Sequence, residues 1–306
     1  MGKIAFVFSG QGAQYAGMGK SLYDMGGSAK ELYDKAEAYR PGTMNQSFNG
    51  TDEELKDTAN TQPCMYLVEL GAALSLNELG IFPDGTAGFS LGEIGALAYS
   101  GAYSAQDGFK IVARRGELMS EAAKKYDTSM CAVLKLDSET VIRETENYEK
   151  LYAVNFNCPG QIVVSGLKSS VDAFSERVKE LGGRALPLAV SAAFHSPFMN
   201  DAAESFGEAL NSFEITKQCL PVYANYTAQP YGDDVKETLV AQMKSPVKWQ
   251  EIIENMIADG FTEFIEVGPG KTLCGLIKKI SKEVNVYSVE NEETLKETAE
   301  AVKNNA

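Results

Sequence analysis

The 306-residue chain has one histidine, one tryptophan and few basic residues: 28 Lys and Arg stand against 42 Asp and Glu, for a formal charge of −14. Phosphate-backbone binding depends on a basic surface, so that balance argues against a nucleic-acid partner. No apolar run approaches the length of a membrane span. The apolar Lys3-Ile4-Ala5-Phe6-Val7-Phe8 is too short for a signal peptide and runs into Ser9-Gly10-Gln11-Gly12 without a cleavage site. A cytoplasmic protein without membrane association is expected. The five cysteines, Cys64, Cys131, Cys158, Cys219 and Cys274, are odd in number and form no CxxC pair, so neither a disulfide framework nor a zinc site is indicated. They are expected to be reduced packing residues. There is no internal repeat and no low-complexity linker. What remains is an ordinary globular composition, long enough for one large domain carrying a smaller one. A small anion could still be held where basic residues gather, at Arg114 and Arg115 or at Lys271, Lys278, Lys279 and Lys282.

The stretch with the most chemical content is Gly88-Phe89-Ser90-Leu91-Gly92-Glu93, a GxSxG sequence opening onto the helix-forming Ile94-Gly95-Ala96-Leu97-Ala98. Glycines on both sides of a serine let a strand turn sharply into a helix, which exposes Ser90 Oγ and aims the backbone N–H of Leu91 at whatever the serine attacks. Ser90 is therefore a candidate nucleophile. A glycine-rich chain produces this pattern by chance often enough that it needs partners.

Along the chain, Lys3–Phe8 reads as a buried strand feeding a tight glycine loop. Gln11 in that loop either makes a plain turn or brings its backbone N–H or its amide to a substrate oxygen. Residues 20–80 read as helical, with a second helix starting after Gln62-Pro63. A further helix is expected over 105–125. Then the texture changes: strands over 130–136, 151–155, 161–165 and 185–190 alternate with helices over 138–147 and 169–181. That βαββαβ order is the ferredoxin-like plan, self-contained and of a size for an inserted domain. Boundaries of 126–191 for the insert, and of 1–125 with 192–306 for the discontinuous large domain, follow.

His195, the chain's one histidine, lies in Phe194-His195-Ser196-Pro197, on a loop where the insert ends. A lone histidine is usually an ordinary, partly buried residue. A base for Ser90 must be histidine, lysine or a carboxylate, and this one sits at a domain edge.

With Ser90 and His195 placed, the chain resembles, nearly end to end, the malonyl-CoA:acyl-carrier-protein transacylases and, more broadly, the acyltransferase domains of polyketide synthases. The resemblance rests on an ordered set: Phe8-Ser9-Gly10-Gln11-Gly12-Ala13-Gln14, Thr61-Gln62-Pro63, the Ser90 stretch, Arg115-Gly116-Glu117-Leu118-Met119, Asn155-Phe156-Asn157-Cys158-Pro159-Gly160-Gln161, Phe194-His195-Ser196, Pro246-Val247-Lys248-Trp249 and Glu266-Val267-Gly268-Pro269-Gly270-Lys271. It implies an α/β fold, with an α/β-hydrolase-like large domain built on a parallel sheet and interrupted by the ferredoxin-like insert. It further implies Ser90 as acyl acceptor, His195 as base, Gln11 and the N–H of Leu91 as oxyanion hole, and Arg115 as the ligand of malonyl's carboxylate. The histidine would be oriented by a backbone carbonyl, here assigned to Lys248. Malonyl-CoA is the implied donor, and the phosphopantetheine thiol of an acyl carrier protein the acceptor, with no cofactor, no metal and a monomeric enzyme. An acidic carrier would need a local basic patch, for which Arg184, Lys278 and Lys279 are the candidates. Two departures stand out: Phe89 replaces the family's usual histidine, and Lys248 stands where glutamine is frequent. A serine hydrolase or thioesterase on the same scaffold, a trans-acting polyketide acyltransferase and a non-catalytic docking module are the competing readings.

Overall fold

The computed structural model describes residues 2–190 and 192–304. Among the described residues, nine strands form two sheets: β1 (Lys3–Phe8), β2 (Gly85–Gly88), β3 (Thr128–Leu134), β4 (Leu151–Cys158), β5 (Gln161–Leu167), β6 (Arg184–Pro187), β7 (Val222–Tyr223), β8 (Phe261–Val267) and β9 (Asn285–Val289). The first sheet has the order β7-β2-β1-β8-β9, with every pair parallel. β1 is central because it is apolar on both faces. Phe6 and Phe8 pack into one helical layer with Leu67 and Ile94, while Ala5 and Val7 face the opposite layer with Trp249, Ile252 and Ile277. A strand buried on both sides and covered by helices is what a parallel sheet requires.

The second sheet has the order β4-β5-β3-β6 and is antiparallel throughout. With the helices Ser138–Thr145 and Lys168–Glu180 it makes the βαββαβ unit, so the α/β fold carries the ferredoxin-like insert. The two-residue alternation of β3 shows how the insert is held. Cys131 and Val133 face the insert's own helices together with Phe174, whereas Met130 and Ala132 join the large core. β4 is also tied down at its backbone: the N–H of Val247 donates to Val154 O at 2.8 Å, and the N–H of Phe156 to Val247 O at 2.9 Å. The boundary drawn at Ser191 falls outside the described residues.

Two expectations need correction. The helix expected to begin after Pro63 spans Thr58–Glu78, with Pro63 inside it. Asp57 supplies the start signal, accepting from the N–H of Ala59 at 3.0 Å, and the bond that Pro63 forfeits inside the helix is outweighed by the burial of the residues around it. The extra turn matters, because it carries Gln62 onto the face that meets the helix Ala105–Ala123. The cysteines are all free, but Cys219 is exposed rather than packed.

β1 and β2 are neighbours, so their carboxyl ends deliver the 9–12 loop and the Phe89-Ser90 turn side by side, at the sheet edge where open parallel sheets bind ligands. The approach is too close for side chains. A Cβ on Gly88 would lie 2.0 Å from the Gly92 carbonyl carbon, and one on Gly92 would lie 2.4 Å from the carbonyl oxygens of Phe8 and Ser9. Gly92→Ala is therefore expected to destabilise by about 1–3 kcal/mol. Gly275→Ala, in a helix and with open space around its Cβ, should instead be neutral or stabilise by up to about 1 kcal/mol. Urea unfolding of both variants, followed by circular dichroism, checks the opposite signs.

Candidate active site

Ser90 stands between β2 and the helix Gly92–Tyr99 with φ 55°, a left-handed conformation costing about 1–2 kcal/mol for a residue with a side chain. Asn225, just beyond β7, holds that turn from both sides. Its Oδ1 accepts from the N–H of Ser90 at 2.7 Å, and its Nδ2 donates to Gly88 O at 2.6 Å. His195 is also left-handed, at φ 58°, and is buried with 4% exposure.

The two side chains meet: Ser90 Oγ lies 2.8 Å from His195 Nε2. The other ring nitrogen, Nδ1, lies 3.0 Å from the backbone carbonyl of Gln242, on the helix Val235–Lys244. A carbonyl only accepts, so Nδ1 carries the proton and Nε2 presents its lone pair to the serine hydroxyl. Burial first, and then the nearby Arg115 charge, lower the imidazole pKa from 6.5 to about 4, so the ring is a neutral base at neutral pH. The orienting carbonyl is thus Gln242, not Lys248. Lys248 caps the helix Trp249–Ala258, its N–H donates to Asn225 O at 3.0 Å, and its ammonium faces Glu251.

Arg115 has no exposed surface. Its Nη1 donates to Gln62 Oε1 at 2.9 Å, while Nη2 donates to Gln242 Oε1 at 3.0 Å and to Ser90 Oγ at 3.1 Å. Its Nε has no partner. Desolvation draws the guanidinium pKa down to about 10, which leaves it charged. Its neighbour Arg114 points outward to Glu117, at 3.1 Å. Gln242 is the hub that sequence reading missed: its Nε2 donates to Ser90 O at 2.6 Å and to Glu93 Oε2 at 3.3 Å. Glu93 is fully buried and also accepts from Tyr231 Oη and, at 3.0 Å, from the N–H of Asn225. A carbonyl used through the backbone leaves no side-chain signature, so Gln242 offered no signal. Asn225, at the end of the apolar run Val222-Tyr223-Ala224, offered a weak one.

A cavity of about 90 Å³ opens on Ser90 and His195, lined by Gln11, Leu91, Phe89 and Met119 among others. Gln11 Nε2 donates to Thr58 Oγ1 at 3.1 Å, and Leu91 is the residue from which the helix Gly92–Tyr99 starts. Phe89 packs edge-on against Trp249, with ring centroids 5.5 Å apart, so the serine has an apolar wall. A second cavity, of about 230 Å³, continues past Asn155 and Asn157 to Gln161. Lys279 donates to Gln161 Oε1 at 3.0 Å, and Arg184 lies on the same rung of the small sheet, two strands across. Lys278 instead donates its ammonium to Val284 O. Among the described residues no group of three or more His, Cys, Asp or Glu could hold a metal ion, and no helix is long and apolar enough to cross a membrane.

A half-buried serine bonded to a buried histidine that a carbonyl backs, with a guanidinium on the serine oxygen, can carry acyl chemistry, and the family model described as "Acyl transferase domain" matches residues 5–300. The chain belongs to this family. It is 41% identical over 311 residues to the malonyl CoA-acyl carrier protein transacylase of Bacillus subtilis (strain 168), covering 99% of this chain and 98% of that one. It is 39% identical over 304 residues to the protein of that name from Staphylococcus aureus (strain MRSA252), covering 97% and 98%. Among solved structures, the malonyl CoA-acyl carrier protein transacylase from Clostridium perfringens Atcc 13124 superposes with a TM-score of 0.95 at 38% identity, covering 99% and 98%. A malonyl-transacylase in complex with a type II PKS acyl-carrier protein gives 0.94 at 31%, covering 98% and 99%.

For this acyl transferase, the reactivity of Ser90 should follow the lowered imidazole pKa. Labelling of Ser90 by a serine-directed sulfonylating reagent, measured between pH 3.5 and 8 with circular dichroism to confirm the fold, should lose half its rate near pH 4. A midpoint near 6.5 would show an imidazole that is neither buried nor influenced by Arg115.

Proposed function

We propose that the enzyme transfers malonyl from malonyl-CoA to the phosphopantetheine thiol of an acyl carrier protein, by way of a malonyl ester on Ser90. The observation that carries the reading is Arg115, a fully buried guanidinium hydrogen-bonded to the oxygen of the candidate nucleophile. A cation there serves no uncharged acyl group, and its direct hydrogen bonds go to two amide oxygens and a hydroxyl rather than to a carboxylate.

In the first half-reaction His195 Nε2 takes the Ser90 proton as Oγ attacks the thioester carbonyl. Negative charge develops on the former carbonyl oxygen, towards which the Leu91 N–H and Gln11 are the donors, each contributing typically about 3–4 kcal/mol in such sites. Collapse expels the CoA thiolate, which takes the proton back from His195. In the second half-reaction the carrier's thiol gives its proton to His195, attacks the malonyl ester and restores Ser90 Oγ–H. The Gln242 carbonyl holds Nδ1–H through both, so a dyad suffices. The apolar wall of Phe89, Met119 and Met130 excludes water, which would otherwise hydrolyse the ester. A hydrolase would share Ser90 and His195, but it has no use for a buried guanidinium on the serine.

The cavity running past Asn157 to Gln161 is the route assigned to the pantetheine arm, and the carrier's acidic surface is assigned to Lys279, which bonds the lining residue Gln161, and to Arg184, two strands across from it. No cofactor takes part, and the enzyme works as a cytoplasmic monomer. Charge reversal at Arg184 and Lys279 should slow transfer to the carrier without slowing loading from malonyl-CoA. Equal losses in both half-reactions, read by intact mass, would remove that assignment.

Ser90→Ala should abolish the malonyl adduct seen by intact mass after incubation with malonyl-CoA, and an adduct formed at the wild-type rate would place the nucleophile elsewhere. Arg115→Ala should lower kcat/KM for malonyl loading by roughly 30-fold to several-thousand-fold, the equivalent of about 2–5 kcal/mol for an unpaired buried charge, while acetyl loading from acetyl-CoA loses little. Arg114→Ala, at a surface ion pair, should do neither. A parallel fall for both acyl groups would mean that Arg115 supports only the fold.

A further inference from the structure

The helix that starts at the nucleophile carries a carboxylate that the acyl-transfer steps do not use. Glu93 has no exposed surface. Every polar neighbour bonded to it is a donor: Tyr231 Oη on one oxygen, the N–H of Asn225 and Gln242 Nε2 on the other. The same Gln242 amide spans from Glu93 to Arg115, since its Nε2 donates to Glu93 while its Oε1 accepts from Arg115 Nη2 at 3.0 Å. A buried carboxylate and a buried guanidinium are therefore coupled through one side-chain amide directly behind Ser90. We propose that Glu93 is a specificity-determining positioning residue, the counter-ion of Arg115 in the free enzyme, which takes up a proton when the carboxylate of the acyl group occupies Arg115. The inference rests on the malonyl reading given above.

One cation and one anion leave the empty site balanced. Malonyl's carboxylate adds a second anion to a region that excludes water, and two carboxylates cannot both stay ionised around one guanidinium without a large electrostatic cost. The substrate's carboxylate meets the guanidinium directly, whereas Glu93 reaches it only through an amide, so Glu93 is the one that yields. The proton comes from bulk solvent and adds to the carboxylate oxygen next to Tyr231. The phenolic hydroxyl then turns from donor to acceptor, which a hydroxyl can do without moving its oxygen.

The other groups around Glu93 fit this assignment. Tyr231 and Tyr103 are neutral phenols whose burial pushes their pKa values well up, and Arg115 is the nearby cation. Glu69, from the helix Thr58–Glu78, approaches the Glu93 helix at Gly95. His195 is neutral and reaches the cluster through the Gln242 carbonyl and through Ser90 Oγ, which Arg115 also contacts. Burial has already raised the Glu93 carboxyl to about 7, so the exchange falls in a pH range that can be measured.

An acetyl group brings no carboxylate and requires no proton. The ratio of kcat/KM for malonyl-CoA to that for acetyl-CoA, read as Ser90 loading by intact mass from pH 5.5 to 8.5, isolates the effect, because titration of His195 and of CoA divides out. In the wild type the ratio should be high below pH 7 and fall roughly tenfold as Glu93 ionises above it and competes for Arg115. In Glu93→Gln the ratio should stay at its acid value across the range. Tyr231→Phe removes a donor that favours the ionised carboxylate, so its fall should move to higher pH, which provides a second test if Glu93→Gln folds poorly. A ratio flat with pH in the wild type, or an unchanged fall in Glu93→Gln, overturns the proposal. A purely structural role would lower both substrates together and leave the pH dependence alone. Failure of the wild type to load malonyl on Ser90 at all would instead overturn the functional reading itself.

Discussion

Burying Arg115 is the constraint on which the rest of the site depends. A guanidinium without exposed surface has lost its water and must find acceptors in the protein. Two of them, Gln62 Oε1 and Gln242 Oε1, come from helices far apart in sequence, and the third is the nucleophile's own oxygen. Meeting these demands fixes the relative position of the helices Thr58–Glu78, Ala105–Ala123 and Val235–Lys244. Once Gln242 is held by its side chain, its backbone carbonyl is also in place, and that carbonyl sets the tautomer of His195. Burial of the guanidinium and orientation of His195 are therefore one packing problem, solved by one glutamine.

The second constraint is backbone strain at the two reacting residues. Ser90 and His195 both adopt left-handed conformations that only surrounding structure can maintain. Asn225 supplies that support at Ser90, clasping the turn through both ends of its amide, while Gly88 and Gly92 allow β1, β2 and the following helix to approach within backbone contact. The strain aims Oγ out of the turn at the imidazole, so the geometry for proton transfer exists before any substrate binds.

Charge in the site is balanced over a short distance, which explains how a strongly acidic chain can hold an anion. The bulk charge of −14 governs encounters at long range. Inside the site only Arg115, Glu93 and the incoming group count, because low polarity strengthens near interactions and the rest of the surface is screened. Phe89 contributes to that low polarity. Packed on Trp249 and lining the Ser90 cavity, it places an apolar ring beside the nucleophile.

Local pattern carried much of this protein in its sequence. The apolar run of β1, the glycine-flanked serine, the βαββαβ texture of the insert and the helix bearing Arg115 are each set by residues close together in the chain, where burial period and turn chemistry act directly. The pairing of Ser90 with His195 was also within reach, because a serine nucleophile needs a base and the chain offers one histidine. The turn of helix before Pro63 was not, since the cap at Asp57 and the packing of Gln62 on Arg115 outweigh proline's local preference. The assignment of the orienting carbonyl to Lys248 failed for a related reason. Every residue has a carbonyl, so nothing in the sequence at Gln242 marks the one that the helix Val235–Lys244 delivers to His195. The Glu93–Gln242–Arg115 relay joins residues up to 149 positions apart. Only the tertiary structure decides which buried polar groups must satisfy one another, because that demand arises when water is removed.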